Sequence, residues 1–433
     1  MPNQHTSVWN TKGLYEFCKS LAESGMKNSD IAIQAARKFK VNVTGHSVTN
    51  KMQGIIRGVK TLKDEDLPIE KRIENDQKEF RLRAENDDLR KKYETVLETK
   101  DIHEKIAEMA RKAIRALPTV KPPKVHAKGQ YATTESAVLM GSCWHIGEVI
   151  DKEEMGGLNE YDFNIFVRRF QWLVEKTISF TQENMASHRF EELHVFLTGD
   201  MVSGIIHDEL IETNEMNIVD QAFLGALVTA QGLLDLARAF PRVIVTGVVG
   251  NHGRVTQEKK FKGKATASWD RVFYETLAML LKNQENIEFN LPRSYWAQIE
   301  VQGHIFQVQH GDTVKGSMGI PFYGLKREMN KWVEINAIQN RIVKYFCMSH
   351  YHTTARLQTG VGEMIMNGSL KGGDEYAIGL GLYSDPVQLL FGVHPKYGKS
   401  WELSINAKDP TLSEVRYNYD TRKNLVDQLD VFR

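Results

Sequence analysis

The sequence predicts an α/β layered fold, and three observations carry that prediction. Apolar runs with strand character alternate with helical patterns from Ser136 onward, as sheets covered by helices require. Five of those runs, at residues 137–140, 193–197, 243–249, 305–308 and 341–348, each end in a short polar motif. Side chains at the carboxyl ends of successive buried strands can converge in space although they lie far apart in the chain. Helical patterns at 161–186, 217–239, 267–282 and 322–336 supply the covering layers.

The elements before Ser136 are of another kind. Residues 1–60 hold 9 Lys and Arg against 3 Asp and Glu, an imbalance that points to an anionic partner. Leu14, Phe17 and Leu21 lie at helical spacing, and Gly25 breaks the pattern. Asn28 or Ser29 then caps a second helix over 30–39, whose Ile31, Ala35 and Phe39 share a face. Residues 41–43 make a turn, and Thr44 or Ser47 caps a third helix ending near Arg57. Helix, short turn, helix looks like a helix-turn-helix unit. Its recognition helix would present His46, Thr49, Asn50, Gln53 and Arg57 to DNA or RNA. A helical protein-interaction module with a solvated basic face is the alternative.

Residues 61–127 form the expected linker. The stretch 63–117 is dense in charge and has no glycine, and Leu82, Leu89, Tyr93, Leu97, Ile102, Ile106 and Met109 make a narrow apolar stripe. A long helix or helical hairpin fits that stripe, and it could pair with a second copy to give a homo-oligomer. Residues 118–123 read as an extended segment, and 128–433 as the catalytic domain.

The chain has 433 residues, 41% apolar and 26% charged, with a formal net charge of +1. That suffices for one large core and an appendage. No apolar run approaches the roughly 20 residues of a membrane span, and the start lacks a signal peptide's pattern. The three cysteines are too few for a disulfide scaffold. A soluble, cytoplasmic, reduced protein without membrane contact is expected, with Cys18 and Cys347 as inert core residues.

The polar motifs are Ser142-Cys143-Trp144-His145, Gly199-Asp200, Gly250-Asn251-His252, Gln309-His310-Gly311-Asp312 and Ser349-His350-Tyr351-His352. They offer imidazole, carboxylate, amide carbonyl and thiolate, the donor set of a transition-metal site. Any one of them occurs by chance, whereas five in series specify a metal-dependent hydrolase.

In order and type these motifs resemble the calcineurin-like metallophosphoesterase superfamily, whose pattern runs Asp-x-His, Gly-Asp, Gly-Asn-His, a lone His, and Gly-His-x-His. The resemblance covers residues 136–401. It implies a four-layer α/β/β/α sandwich holding two divalent transition-metal ions, zinc, iron or manganese. Cys143, His145, Asp200 and His352 would surround one ion, and Asp200, Asn251, His310 and His350 the other, with Asp200 bridging. His252 would face the substrate and protonate the leaving oxygen, and Arg254 would hold a phosphate oxygen. Cys143 stands where the pattern has Asp, as in the RNA lariat debranching enzymes, and Ser349 where it has Gly. A soft thiolate favours zinc or ferrous iron. Alternatively, Cys143 is a lost ligand in a weakened site.

Of the remaining residues, Asp312 is either an acceptor orienting an imidazole or a turn residue, and His207 is placed to line the cleft. His194 and His304 sit in strands as structural residues. Lys259, Lys260 and Lys262 interleave with Phe261 in a basic loop suited to phosphate backbones and bases. The domain order is similar to phage metallophosphoesterases. The expected activity is therefore a phosphodiesterase acting on nucleic acid, a nuclease. The alternatives are a phosphodiesterase or phosphatase acting on a small nucleotide or phosphoprotein, and a non-catalytic nucleic-acid-binding scaffold.

Overall fold

The computed structural model describes residues 12–24, 26–40, 48, 81, 105, 108, 114, 116–122, 133–256, 258–314 and 322–423. The chain divides into two compact units, Met1–Leu97 and Glu98–Arg433.

In the first unit, α1 (Leu14–Glu23) and α2 (Asn28–Phe39) close over a small core of Leu14, Cys18, Ile31, Ala32, Ala35 and Val48. Phe17 and Phe39 meet edge-on at 5.5 Å. The N-cap of α2 is Lys27, extended at φ −65° and ψ 140°, and no side chain caps the helix. Neither Asn28 nor Ser29 holds that place, because Asn28 is already helical; Asp30 in the first turn is the acidic residue that the helix dipole favours there. The proposed base-reading residues Asn50, Gln53 and Arg57 lie outside the described residues, as do His46, Thr49 and most of the linker at 61–127.

The second unit is built on two sheets. The first has the order β11-β10-β1-β2-β3-β4. Its strands β1 (Thr133–Gly141), β2 (His188–Leu197), β3 (Arg242–Gly247) and β4 (Ile287–Asn290) run parallel, with β10 (Val387–His394) and β11 (Gly398–Asn406) antiparallel at one edge. The second sheet has the order β5-β6-β7-β9-β8. Its parallel centre is β6 (His304–Gln309), β7 (Val343–Met348) and β9 (Gly362–Met366), flanked by antiparallel β5 (Trp296–Val301) and β8 (Ala355–Thr359).

Strand alternation sorts the core into layers. Val138 and Met140 of β1 face the second sheet, packing with Phe196, Phe306, Val308, Cys347 and Phe391. Ala137 and Leu139 face the other way, onto α3 (Phe163–Ser179), α5 (Ile218–Ala239) and α6 (Trp269–Leu280). On the far side, α7 (Phe322–Ile338) packs Leu325, Met329 and Trp332 against Phe346, Met348 and Met364. The result is the expected α/β/β/α sandwich. Two short helices, α4 (Asp208–Thr213) and α8 (Glu375–Gly379), complete the unit.

Helix α5 is long and apolar enough to match a membrane span, contrary to the sequence-based expectation, and 83% of its most apolar window is buried. It serves as the central core helix, capped by the Asn217 side chain accepting from Val219 and Asp220 N–H. Helix α3 stops short of the predicted 186 and runs into a π turn at Phe180–Asn184.

Candidate metal centre

Five loops leave the carboxyl ends of β1, β2, β3, β6 and β7, three from one sheet and two from the other. The β1 loop is anchored by Trp144, buried at 5.1 Å from the Phe170 ring and 5.8 Å from Phe166. Cys143 N–H donates to Gly199 O at 3.0 Å, and the Trp144 and His145 N–H groups donate to Asp200 O at 2.9 and 3.1 Å. The β1 and β2 loops are thereby locked together.

The glycines of the second and third motifs permit a close approach. A Cβ on Gly199 would lie 2.4 Å from Gly250 N, and one on Gly250 would lie 2.1 Å from Asp200 Oδ1. Strain gathers here as well. Cys143, His145, Asp200, His350 and His352 all have positive φ, from 46° to 77°, five of the eight non-glycine residues so placed among those described. Such conformations persist only where the surroundings over-determine them, typically at ligand sites.

Three overlapping donor sets result. Cys143, His145 and His352 form one, Cys143, Asp200 and His310 a second, and His145, Asp200 and His252 a third, each with donor atoms within 4.8 Å of one another. His350 is adjacent, its ring 5.1 Å from that of His310. Of the expected ligands, Cys143 reaches further than the resemblance implied, since it belongs to a set on either side.

The hydrogen-bond pattern tests whether these residues suit a cation. His310 Nδ1 lies 2.7 Å from Thr198 O, which fixes a proton on Nδ1. Its Nε2 then faces two acceptors, Asp200 Oδ2 at 2.8 Å and Asn251 Oδ1 at 3.2 Å. Likewise His145 Nε2 and His352 Nε2 face each other at 3.1 Å. In the first place two acceptor oxygens meet one imidazole nitrogen, and in the second two ring nitrogens meet with the proton's owner set by the tautomer; either cluster of donor atoms can share a bound cation. The set fits a transition metal.

Electrostatics divides the centre. Burial, then Lys371 and His252, pull His145 down to about 4. Burial and the His310 charge pull His350 to about 3, and burial with His145 takes His352 well below the ordinary imidazole range. Asp200 behaves oppositely: burial would raise it, but His310, His252 and His145 hold it well below the usual carboxylate range. His310 is raised, because Asp200 outweighs its burial. Burial and Asp200 push the Cys143 thiol well up, so without a cation it stays protonated.

His252 is set by its neighbours. Its N–H donates to Asp200 Oδ1 at 2.7 Å, its Nδ1 lies 2.8 Å from Ser203 O, and its ring stands 4.3 Å from His145 and 5.9 Å from His207. His207 is exposed and does reach this cluster. Arg254 bonds Thr256 O at 2.9 Å and Asn251 O at 3.2 Å. Asp312 is bonded to no imidazole among the described residues; it pairs with Lys264 at 2.6 Å and Lys259 at 3.2 Å. Lys259 thus meets a carboxylate while its side chain stays 40% exposed. Lys260 and Lys262 are exposed.

Sequence reasoning missed three supports. Asp270, fully buried at the start of α6, accepts from the N–H groups of Asp200 (3.0 Å), Met201 (2.9 Å) and Gly250 (2.8 Å). One carboxylate thus clamps the second and third motif loops. Glu148 lies 3.3 Å from His145 Nδ1 and is bonded in turn by buried Lys371, which also pairs with Asp374 at 2.6 Å. Outer carboxylates of this kind fix a ligand histidine's tautomer. Its only sequence signal was His145-x-x-Glu148. Ser349, which stands where the family pattern has Gly, is fully buried, hydrogen-bonds Thr198 Oγ1, and donates its N–H to His310 O at 2.7 Å. It ties the two sheets' loops together.

No protein-family profile and no curated protein matches the chain. Solved structures that align with it include an archaeal phosphodiesterase, 14% identical, covering 62% of this chain and 99% of that one at a TM-score of 0.28. Vps29 complexed with zinc from Entamoeba histolytica is 12% identical over 63% of this chain and 99% of that one, with a TM-score of 0.25. A hypothetical protein from Pyrococcus horikoshii is 10% identical over 69% and 93%, with a TM-score of 0.32.

Proposed function

We propose that the chain is a metal-dependent phosphodiesterase of the calcineurin-like metallophosphoesterase type, acting on nucleic acid. The observation that carries this reading is His310 Nε2 facing Asp200 Oδ2 and Asn251 Oδ1, beside the opposed nitrogens of His145 and His352. Such a donor set holds cations. Cys143, His145, Asp200 and His352 would bind one ion, and Asp200, Asn251, His310 and His350 the other. Two bound divalent ions supply Lewis acidity toward a phosphoryl oxygen and acidify water.

The protein's own groups do the rest. With Nδ1 committed to Ser203 O, His252 has Nε2 left to carry a proton to the leaving oxygen. Arg254 lies beside Asn251, where its guanidinium would meet a phosphoryl oxygen. Asn50, Gln53 and Arg57 of the N-terminal unit, with Lys259, Lys260 and Lys262, would position the polymer. The helical linker would be the surface for pairing two copies.

The test is hydrolysis of single-stranded, duplex and cyclic substrates with zinc, iron and manganese in turn, alongside elemental analysis. Cleavage of the cyclic substrate alone would make this a small-nucleotide phosphodiesterase. Nucleic-acid binding without hydrolysis under any metal would make it a scaffold. The variants Cys143→Ser and Cys143→Asp address the first ligand: equal activity of wild type and Cys143→Ser with every metal would remove Cys143 from the site.

A further inference from the structure

Between Arg254 and Ser268 the chain leaves the metal centre and returns to it. An antiparallel bridge joins those two residues, and Trp269 N–H donates to Gly253 O at 2.6 Å. This excursion walls a pocket that opens on Asn251, lined by Arg254 and four lysines between 259 and 264. Asp312 is the single carboxylate in the lining among the described residues. Five cations against one anion leave a formal excess of four positive charges.

Asp312 does not cancel the field so much as fix two of its sources. Its oxygens hold Lys264 at 2.6 Å and Lys259 at 3.2 Å, and Lys264 is nearly buried, with a side chain 7% exposed. Lys260 and Lys262 add charge at the exposed rim. Like charges crowded in a concave wall repel unless an anion sits among them, and Lys and Arg donors are suited to phosphate oxygens.

We infer that this pocket is a second phosphate subsite, which selects substrates carrying a further phosphate next to the scissile one. The inference rests on the phosphodiesterase reading, because Asn251 belongs to both the pocket wall and the metal-ligand set. The second phosphate can be the next backbone phosphate of a polymer or the terminal phosphate of a short nucleotide. Both present anionic phosphoryl oxygens to the lysines.

Two measurements on the full chain test it. In the first, chelator-treated protein is titrated with inorganic pyrophosphate by calorimetry. Binding should weaken with salt and fall roughly tenfold or more in Lys260→Glu/Lys262→Glu. Absence of binding, or equal binding by the variant, overturns the subsite. Lys260→Ala/Lys262→Ala should show a smaller loss in the same direction, which guards against misfolding of the charge-reversed protein.

In the second, metal-loaded protein cleaves thymidylyl-thymidine with and without a 5′-phosphate, and a longer single strand. The phosphorylated dinucleotide should be favoured roughly tenfold in kcat/KM, and the charge reversal should move that ratio toward one. A wild-type ratio of one overturns the subsite and leaves the phosphodiesterase reading intact. Pyrophosphate binding without cleavage of any diester would instead sink the phosphodiesterase reading. A further gain with the longer strand assigns the pocket to backbone phosphates; no further gain assigns it to a terminal one.

Discussion

Around His145 and His352 the protein keeps its imidazoles neutral, whereas around Asp200 and His310 it keeps an ion pair. In the first region burial pulls His145 to about 4 and His352 well down. The nearby carboxylate, Glu148, is already engaged by Lys371. In the second, Asp200 is held ionised and His310 is raised, at 2.8 Å from each other. The second region can therefore supply its own positive charge when no cation is bound. The first cannot, and its two Nε2 atoms at 3.1 Å are left to repel or to share one proton. Neighbouring side chains in one cluster thus differ in how far a cation would relieve them, and Cys143, within reach of both sets, links them.

The harshest way to break this contrast is to remove the shared charge. Asp200→Asn and His350→Ala should lose bound metal and hydrolysis while remaining folded. Full metal occupancy in both variants, by elemental analysis, would show that the centre has been misplaced. Next in size, His252→Ala should retain its metals and lose turnover by roughly 10²–10⁴-fold. Loss of metal in that variant would make His252 a ligand, as the set it forms with His145 and Asp200 permits.

Lys371→Met probes the support of the neutral region. It strands Glu148 in the interior, at a cost of about 3–5 kcal/mol in denaturant unfolding, and adding Glu148→Leu should restore much of it. The pH window follows from the signs. Burial would raise Glu148, but Lys371 and His145 hold it below its ordinary 4.5, so its contribution is present above that value and fades as pH falls. Lys371, lowered by burial but raised overall by Glu148 and Asp374 above its ordinary 10.5, contributes below that value and fades as pH rises. An unchanged unfolding midpoint for Lys371→Met at neutral pH would refute the buried pair.

Smaller effects separate the two outer supports. Glu148→Gln and Asp270→Asn should each lower metal affinity by about 10–100-fold, the first at the His145 position and the second at the Asp200 position. Equal perturbation of both positions, read by cobalt absorption, would erase the distinction. The smallest expected effect is the pH response of metal-free protein. His145, His350 and His352 are lowered in the fold, so their neutral forms stabilise it above the ordinary 6.5 and that stability is lost as pH falls. His310 is raised and acts in the opposite sense. Three lowered against one raised at the centre, with His194 and His207 lowered as well, the melting temperature should drop between pH 7 and pH 5; a rise would reverse the contrast.

Much of the second unit's architecture was legible because its signals are local. A buried strand writes its apolar run in consecutive residues, and a ligand motif at its end needs only the next few. The runs at 193–197 and 305–308 fall inside β2 and β6, and the helix expected at 217–239 is α5 with Asn217 as its cap. The edges were less legible: β1 begins at Thr133, where pairing with β2 rather than apolar character defines the strand. The cap of α2 failed for a similar reason, since Asn28 and Ser29 have capping chemistry but helical backbone.

By itself the sequence determined the layered class, the five motifs and most of the side chains that converge, because hydrophobic period and motif order are properties of contiguous residues. Only the tertiary structure decided who supports them. Asp270 reads in the chain as an ordinary first-turn helix acid, and Lys371 as a loop lysine. Ser349 reads as a stand-in for glycine, and Asp312 as either an imidazole's partner or a turn residue. Their roles come from contacts across 70 residues for Asp270 and Asp200, 223 for Lys371 and Glu148, 151 for Ser349 and Thr198, and 48 for Asp312 and Lys264. Burial is what gives those contacts their weight, because a charge or hydroxyl removed from water must find a partner wherever the fold brings one.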